Sequence, residues 1–121
     1  MRAISSRQPW AWAISSGHRD HENRRWRPGF RPGERIAIHA SRAQWSDDEL
    51  DAVEASCGVR PPAELDVGAV VALATVLGVV RLEDDGGYWS VVLGDVTQIE
   101  PVECRGALGV WTVPPGLLPG L

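Results

Sequence analysis

The densest chemistry in the chain lies at residues 17–26, GHRDHENRRW, where two histidines, two acids, three arginines and a tryptophan share ten positions. Three arrangements could use such a set: a metal site, a polar pocket, or an exposed charged turn. His18 and His21 are three apart with Glu22 beside the second. That order, H-x-x-H-E, is neither H-E-x-x-H nor H-x-x-E-H. His39 could serve as a third ligand only if folding carried it there, and no cysteine accompanies the set. The histidines therefore read as turn residues, and neither a metal nor another cofactor is expected.

Other reactive groups are sparser. Cys104 precedes Arg105, and an adjacent cation can lower a thiol pKa, with His39 the one candidate base in an expected strand. No Cys–His signature surrounds them, so Cys104 reads as a buried structural residue. Residues 105–109, RGALG, form a glycine-containing turn without a phosphate-loop pattern. Six tryptophans are many for 121 residues. Trp10, Trp26 and Trp111 lie close to Gln8, Arg24 and Thr112, and a tryptophan face with a polar neighbour suits a nucleobase. Core packing accounts for most of the six, leaving one or two for a pocket rim.

Composition narrows the classes. With 44% hydrophobic and 23% charged residues, the chain reads as one ordinary globular domain spanning 1–121. All twelve basic residues are arginine, which excludes lysine Schiff-base chemistry, a phosphate-loop lysine and a lysine general base. The net charge of −4 is uneven: residues 1–42 carry nine arginines against three acids, net +6, and residues 43–121 carry three against thirteen, net −10. An acidic whole gains little from general attraction to phosphate, but its arginine-rich part can form a local anion site. Two cysteines make no disulfide framework, and no secretory leader is evident, so a cytoplasmic protein is expected. The apolar run 69–80, AVVALATVLGVV, is too short to span a bilayer, so no membrane partner is expected.

The positioning elements follow from periodicity and punctuation. Residues 2–5 begin as a short strand. PWAWAISSG, residues 9–17, has proline and glycine where a helix starts and ends, with Trp10, Ala13 and Ile14 on one face. The charged decapeptide then reads as a turn or irregular strand. Residues 35–41, RIAIHAS, alternate as a half-buried strand. Ser46-Asp47-Asp48-Glu49 is a capping box that predicts a helix with Leu50, Val53 and Cys57 inward, ending at Gly58. Residues 67–82 predict a long strand with a possible break at Gly78, Asp84–Gly87 a hairpin turn, and residues 88–100 the return, bent at Asp95. A last strand is expected over 108–113 before a Pro/Gly-rich tail. Many strands with two short helices predict a closed or nearly closed sheet.

Four segments in order carry a family resemblance. They are Ile4-Ser5 with Gln8-Pro9-Trp10; Gly17-x-x-x-x-Glu22-x-Arg24-x-Trp26; IAIHAS at 36–41; and Pro101-Val102 with Cys104–Trp111, CRGALGVW. Together they resemble the ASCH domain of the PUA-like superfamily, over essentially the whole chain. The resemblance implies a mainly β (α+β) fold, a PUA-like β-barrel of about five to six strands with two short helices. It also implies a cleft beside the first helix that receives RNA, a nucleotide or a nucleoside. The expected lining is Gln8, Pro9, Trp10, Arg19, Glu22, Arg24, Trp26, His39 and Ser41. Trp10 or Trp26 would stack on a base, Gln8 and Glu22 would read its edge, and Arg19 and Arg24 would hold phosphate or orient Glu22.

The family also includes amidohydrolases acting on N4-acetylcytidine, proteins described as ribonucleases, and binding or coactivator modules. The amidohydrolase pattern, Gly-x-Lys-x-x-Thr-x-Arg, places Arg19 at its Lys and Glu22 at its Thr, and residues 69–80 lack the expected later carboxylate. Arginine stays protonated at working pH and cannot act as a lysine base. Glu22 has no hydroxyl to attack a carbonyl, although it could act as a base through water. Glu22 and Arg19 are thus the catalytic candidates of an enzyme reading, and a binding cleft is the first expectation. A protein-interaction module is the third. Glu22–Arg24 reads as a ligand contact, with an internal ion pair that fixes the turn as the alternative, and both can hold at once; the oligomeric state is expected to be monomer or weak dimer.

Overall fold

A computed structural model describes residues 1–118. Its strands are β1 (Arg2–Ser6), β2 (His21–Arg24), β3 (Arg35–Ala40), β4 (Ala69–Leu82), β5 (Tyr88–Glu103) and β6 (Val110–Thr112). Two helices, α1 (Trp10–Ser15) and α2 (Asp47–Cys57), interrupt them, and a 3-10 turn at Asp84–Gly86 joins β4 to β5. The strands form one sheet in the order β2-β5-β4-β3-β1-β6. Only the β1–β3 pair is parallel, with Ile4 opposite Ile38 and Ser5 opposite His39.

The sheet curls because its longest strands cannot stay flat. β4 and β5 pair along 14 and 16 residues, and their register shifts three times. Each shift adds local twist. The expected barrel of five to six strands with two helices is the observed architecture, as six strands curled into a half-barrel. Among the described residues no ladder joins β2 to β6, so the curl stops short of closure.

Two apolar layers hold the curl. On one face Ile4, Ile36, Ile38, Ala74, Val76 and Val91 pack with Ala11 and Ile14 of α1. On the other, Ala3, Ala37, Val70 and Leu73 pack with Cys104, Val113 and Leu118 of the C-terminal segment. β3 lies between β4 and β1 and is buried on both faces from Ile36 to Ala40, not half-buried as its alternation predicts. The alternation fails because most of its second-face residues, Ala37 and His39, are small or internally bonded and are covered by the C-terminal segment.

Several boundaries also move. β4 continues through Gly78, where the irregularity is a register shift and not a break. β5 extends through Pro101 to Glu103. β2 pairs only with Trp89–Val92, so beyond it β5 has a free edge on which a proline costs no ladder bond. β6 is shorter than expected, and Leu108 is 99% exposed. In α1, Trp10 is partly exposed while Ala11, Ala13 and Ile14 are buried. In α2 the capping box forms, but only Val53 of the expected stripe is buried. Both cysteines are free thiols, and no helix is long and apolar enough to cross a membrane among the described residues. The last three residues of the Pro/Gly-rich tail lie outside the described residues.

Stability should therefore reside in the sheet. Ile36→Ala is expected to cost about 3 kcal/mol through a core cavity, and Ser46→Ala about 1 kcal/mol through loss of the α2 cap. Urea unfolding of the two variants checks the ranking.

Candidate functional site

The decapeptide folds into a set of local contacts and two long-range side-chain ties, Arg24 to Ser5 and Arg25 to the carbonyls of Asp85 and Gly87. His18 stacks on Trp12, ring centroids 5.2 Å apart, and its Nδ1 lies 2.7 Å from Ser16 Oγ. His21 Nδ1 lies 3.0 Å from Asp20 Oδ1, and this hydrogen bond holds the Asp20 carboxyl below its usual range. The Arg19 guanidinium covers the Trp10 ring at 4.6 Å while its Nε donates to the His21 carbonyl. Both histidines are thus engaged close to their own positions in the chain.

Glu22 and Arg24 sit on β2, one turn of the pleat apart and on the same side. Glu22 is 6% exposed, and its Oε1 lies 3.1 Å from Arg24 Nη1. The same oxygen accepts the Asn23 backbone N–H, whereas the buried Oε2 accepts from no donor among the described residues. Arg24 Nη1 donates to the Asn23 carbonyl, and Nη2 makes a short hydrogen bond to the Ser5 carbonyl. β2 and β1 are not neighbours in the sheet. Arg24 therefore ties the first strand in the order to the fifth, across the mouth of the curl.

On its other side Ser5 opens onto a crevice of about 700 Å³. The floor is Ser5, His39 and Ser41; Arg42, Glu103, Arg105 and Gly106 form walls. Ser5 Oγ lies 3.0 Å from His39 Nδ1, and His39 Nε2 lies 2.8 Å from the Cys104 carbonyl oxygen. A carbonyl only accepts, so Nε2 carries the proton and Nδ1 accepts from Ser5. The indole Nε1–H of Trp111 in turn donates to Ser5 Oγ at 3.1 Å. Burial lowers the His39 pKa, the Cys104 bond opposes this, and Arg42 lowers it further.

Gly106 permits this close packing. A Cβ there would stand 2.5 Å from His39 Cε1 and 2.8 Å from Ser5 Oγ, inside contact distance. Ser41 Oγ is buried with no hydrogen-bond partner among the described residues. The side chain of Trp26, 44% exposed, reaches the turn at Gly109 beside Leu108, which lines the crevice.

The residues expected to line one cleft occupy three places. His39 and Ser41 lie in the large crevice. Trp10, Arg19, Glu22 and Arg24 are held in the contacts around β2 and α1. Gln8 faces a second crevice of about 480 Å³ beside α1, whose walls include Glu64, Asp66 and Glu100. Gln8 is 2% exposed, and both ends of its amide are engaged: Nε2 donates to the Asp66 carbonyl and Oε1 accepts from Trp12 N–H. Pro9 is fully buried at the start of α1. Ser5, Arg42, Arg105, Gly106 and Trp111 were not among the expected site residues. Ser5, Arg105, Gly106 and Trp111 fall in the segments that carry the family resemblance; for Arg42 no local signal exists, since it simply follows β3.

Neither a family model nor a curated protein matches the sequence. Solved structures do match the fold. An ASCH protein from Zymomonas mobilis aligns with a TM-score of 0.66 at 17% identity, covering 96% of this chain and 89% of its own. A serine-to-alanine variant of the Zymomonas mobilis protein gives 0.65 at 17% identity, with 96% and 89% covered. A tyrosine-to-phenylalanine variant gives 0.59 at 20% identity, with 84% and 74% covered. The chain therefore has the ASCH-domain fold, as the four segments suggested.

Two outcomes test the site's physical construction. Glu22→Ala strands Arg24 beside a largely buried seam and should cost about 3 kcal/mol in urea unfolding. His39 binds its proton more weakly folded than unfolded, because burial lowers its pKa below the ordinary value of about 6.5. Its contribution is thus complete above that value and is lost as pH falls through the lowered folded value. Calorimetric Tm between pH 7.5 and 5 should fall in the wild type, and His39→Gln should remove that component.

Proposed function

We propose that this ASCH-fold chain binds a nucleotide, free or within an RNA segment, in the crevice bounded by Ser41, Arg42 and Arg105. The observation that carries the reading is the pairing of two arginines with a floor of polar groups in a cavity large enough for one nucleotide. Arginine suits phosphate through its planar fork of donors. Ser41 Oγ, buried and unpartnered among the described residues, offers a hydrogen bond to a ligand, while exposed Leu108 in the lining, with Trp26 reaching its neighbour Gly109, supplies a face for a base.

Charge favours this crevice over the one beside α1. Glu64, Asp66 and Glu100 line the latter, and carboxylates repel phosphate. Arg42 does face Glu103 at 3.3 Å, but both partners are more than half exposed, so the pair is weak and phosphate can displace it. In this reading Glu22, Arg24 and Gln8 serve the site by position. Arg24 holds the backbone of Ser5, and Gln8 anchors α1 to the loop at Asp66. Binding of RNA and binding of a single nucleotide differ in how many phosphates are neutralised.

Titration of AMP, CMP and a labelled eight-nucleotide RNA, at two salt concentrations, tests the proposal. Arg105→Ala should weaken all three about tenfold and lower the RNA salt slope by about 0.7, one phosphate's share for a single strand. Unchanged affinity in the Arg42→Ala/Arg105→Ala double variant would remove the crevice from consideration.

A further inference from the structure

The floor of the crevice holds more than binding requires. Ser5 is partly exposed to the cavity, and its hydroxyl has two acceptors, His39 Nδ1 at 3.0 Å and, longer, the Ala107 carbonyl at 3.4 Å; the shorter contact is to a histidine nitrogen that has no other partner. The histidine is itself oriented: its Nε2–H is fixed on the Cys104 carbonyl, and the Trp111 ring meets it edge-on at 5.3 Å. Nucleophile, base and a group that orients the base, each within hydrogen-bond reach, form the arrangement used to activate a serine. Trp111 Nε1–H, 3.1 Å from Ser5 Oγ, donates to that oxygen and so orients the hydroxyl with its proton toward His39. At Gly106 a Cβ would stand 2.6 Å from His39 Nδ1 and 2.8 Å from Ser5 Oγ, so glycine is the residue that fits beside the two reacting atoms.

We propose that Ser5 is a nucleophile, with His39 its general base, in the hydrolysis of carboxylic esters that carry an anionic group for Arg42 and Arg105. The anionic group rests on the nucleotide reading; the serine chemistry does not. The Ser5 Oγ–H proton passes to His39 Nδ1 as Oγ bonds to the ester carbonyl carbon. Collapse of the tetrahedral intermediate breaks the bond to the alcohol oxygen, which takes the proton from His39. Water then attacks the acyl carbon and gives a proton to His39, which returns it to Ser5 as the carboxylic acid leaves. Ester and water become acid and alcohol, and no other reactant is needed. The burial that lowers the His39 pKa keeps the ring neutral, and so basic, near neutral pH.

A fluorophosphonate probe on the wild-type chain, followed by peptide mapping, should label Ser5. With 4-nitrophenyl acetate and 2′(3′)-O-acetyl-AMP as substrates, Ser5→Ala and His39→Gln should each lower kcat/KM by at least roughly 100-fold. The wild-type rate should follow one ionisation below the ordinary histidine value. No label on Ser5 in folded wild-type protein, or ester turnover equal to that of Ser5→Ala, overturns the proposal even if AMP binds. Turnover of 4-nitrophenyl acetate that needs Ser5 but is indifferent to AMP upholds the nucleophile and fails the nucleotide reading instead.

Discussion

The seam closed by Arg24 is the constraint on which the rest depends. A six-stranded sheet curled into a half-barrel has two free ends, and among the described residues this one gains no ladder between them. In place of a seventh strand it uses one guanidinium, which spans from Glu22 and the Asn23 carbonyl on β2 to the Ser5 carbonyl on β1. Arginine fits because its planar fork reaches three acceptors at fixed angles, which an ammonium group cannot do. The two side chains of the pair are largely buried, so packing sets its geometry. Breaking it would expose both the charge and the edge.

From that seam the order runs outward. Fixing the Ser5 backbone fixes the side chain on its other face, where Oγ meets His39 and Trp111. His39 reaches the Cys104 carbonyl and so fastens the end of β5 to the middle of the sheet. Cys104 and Val113 then cover the second apolar layer. Ser5 is thus a point where a charged network on one face and a neutral network on the other share a residue. Two networks of different character meeting at a single small side chain would explain why the C-terminal segment can form a crevice wall without a strand of its own between Glu103 and Val110.

Charge is divided in the same way as the layers. The acidic residues of the C-terminal part are spread over the crevice beside α1, at Glu64, Asp66 and Glu100, over α2, and over the turn at Asp84–Gly86, with Glu103 in the larger crevice. Many arginines of the N-terminal part are consumed internally: Arg2 by Glu34, Arg7 by Glu49, Arg35 by Thr75 and Thr97, Arg24 at the seam. The net +6 of residues 1–42 therefore overstates the cationic surface available to a ligand. Arg42 and Arg105, from opposite ends of the charge map, are brought together by folding at one crevice.

The sequence by itself determined the elements and the family of fold. A capping box, paired proline and glycine punctuation, and the period of two in RIAIHAS are local signals, and local backbone and side-chain preferences carry them without help from the rest of the chain. The segments at 4–10, 17–26, 36–41 and 101–111 also marked most of the residues that matter, Ser5, Glu22, Arg24, His39, Gly106 and Trp111 among them. What the tertiary structure alone decided was who meets whom. Whether Glu22 and Arg24 would face a ligand or each other, and whether His39 would face the first helix or the last loop, depends on strand order and on which face the pleat presents. Those follow from contacts between residues such as Ser5 and Trp111, 106 positions apart. Spacing along the chain cannot encode such contacts, because the curl of the sheet sets them.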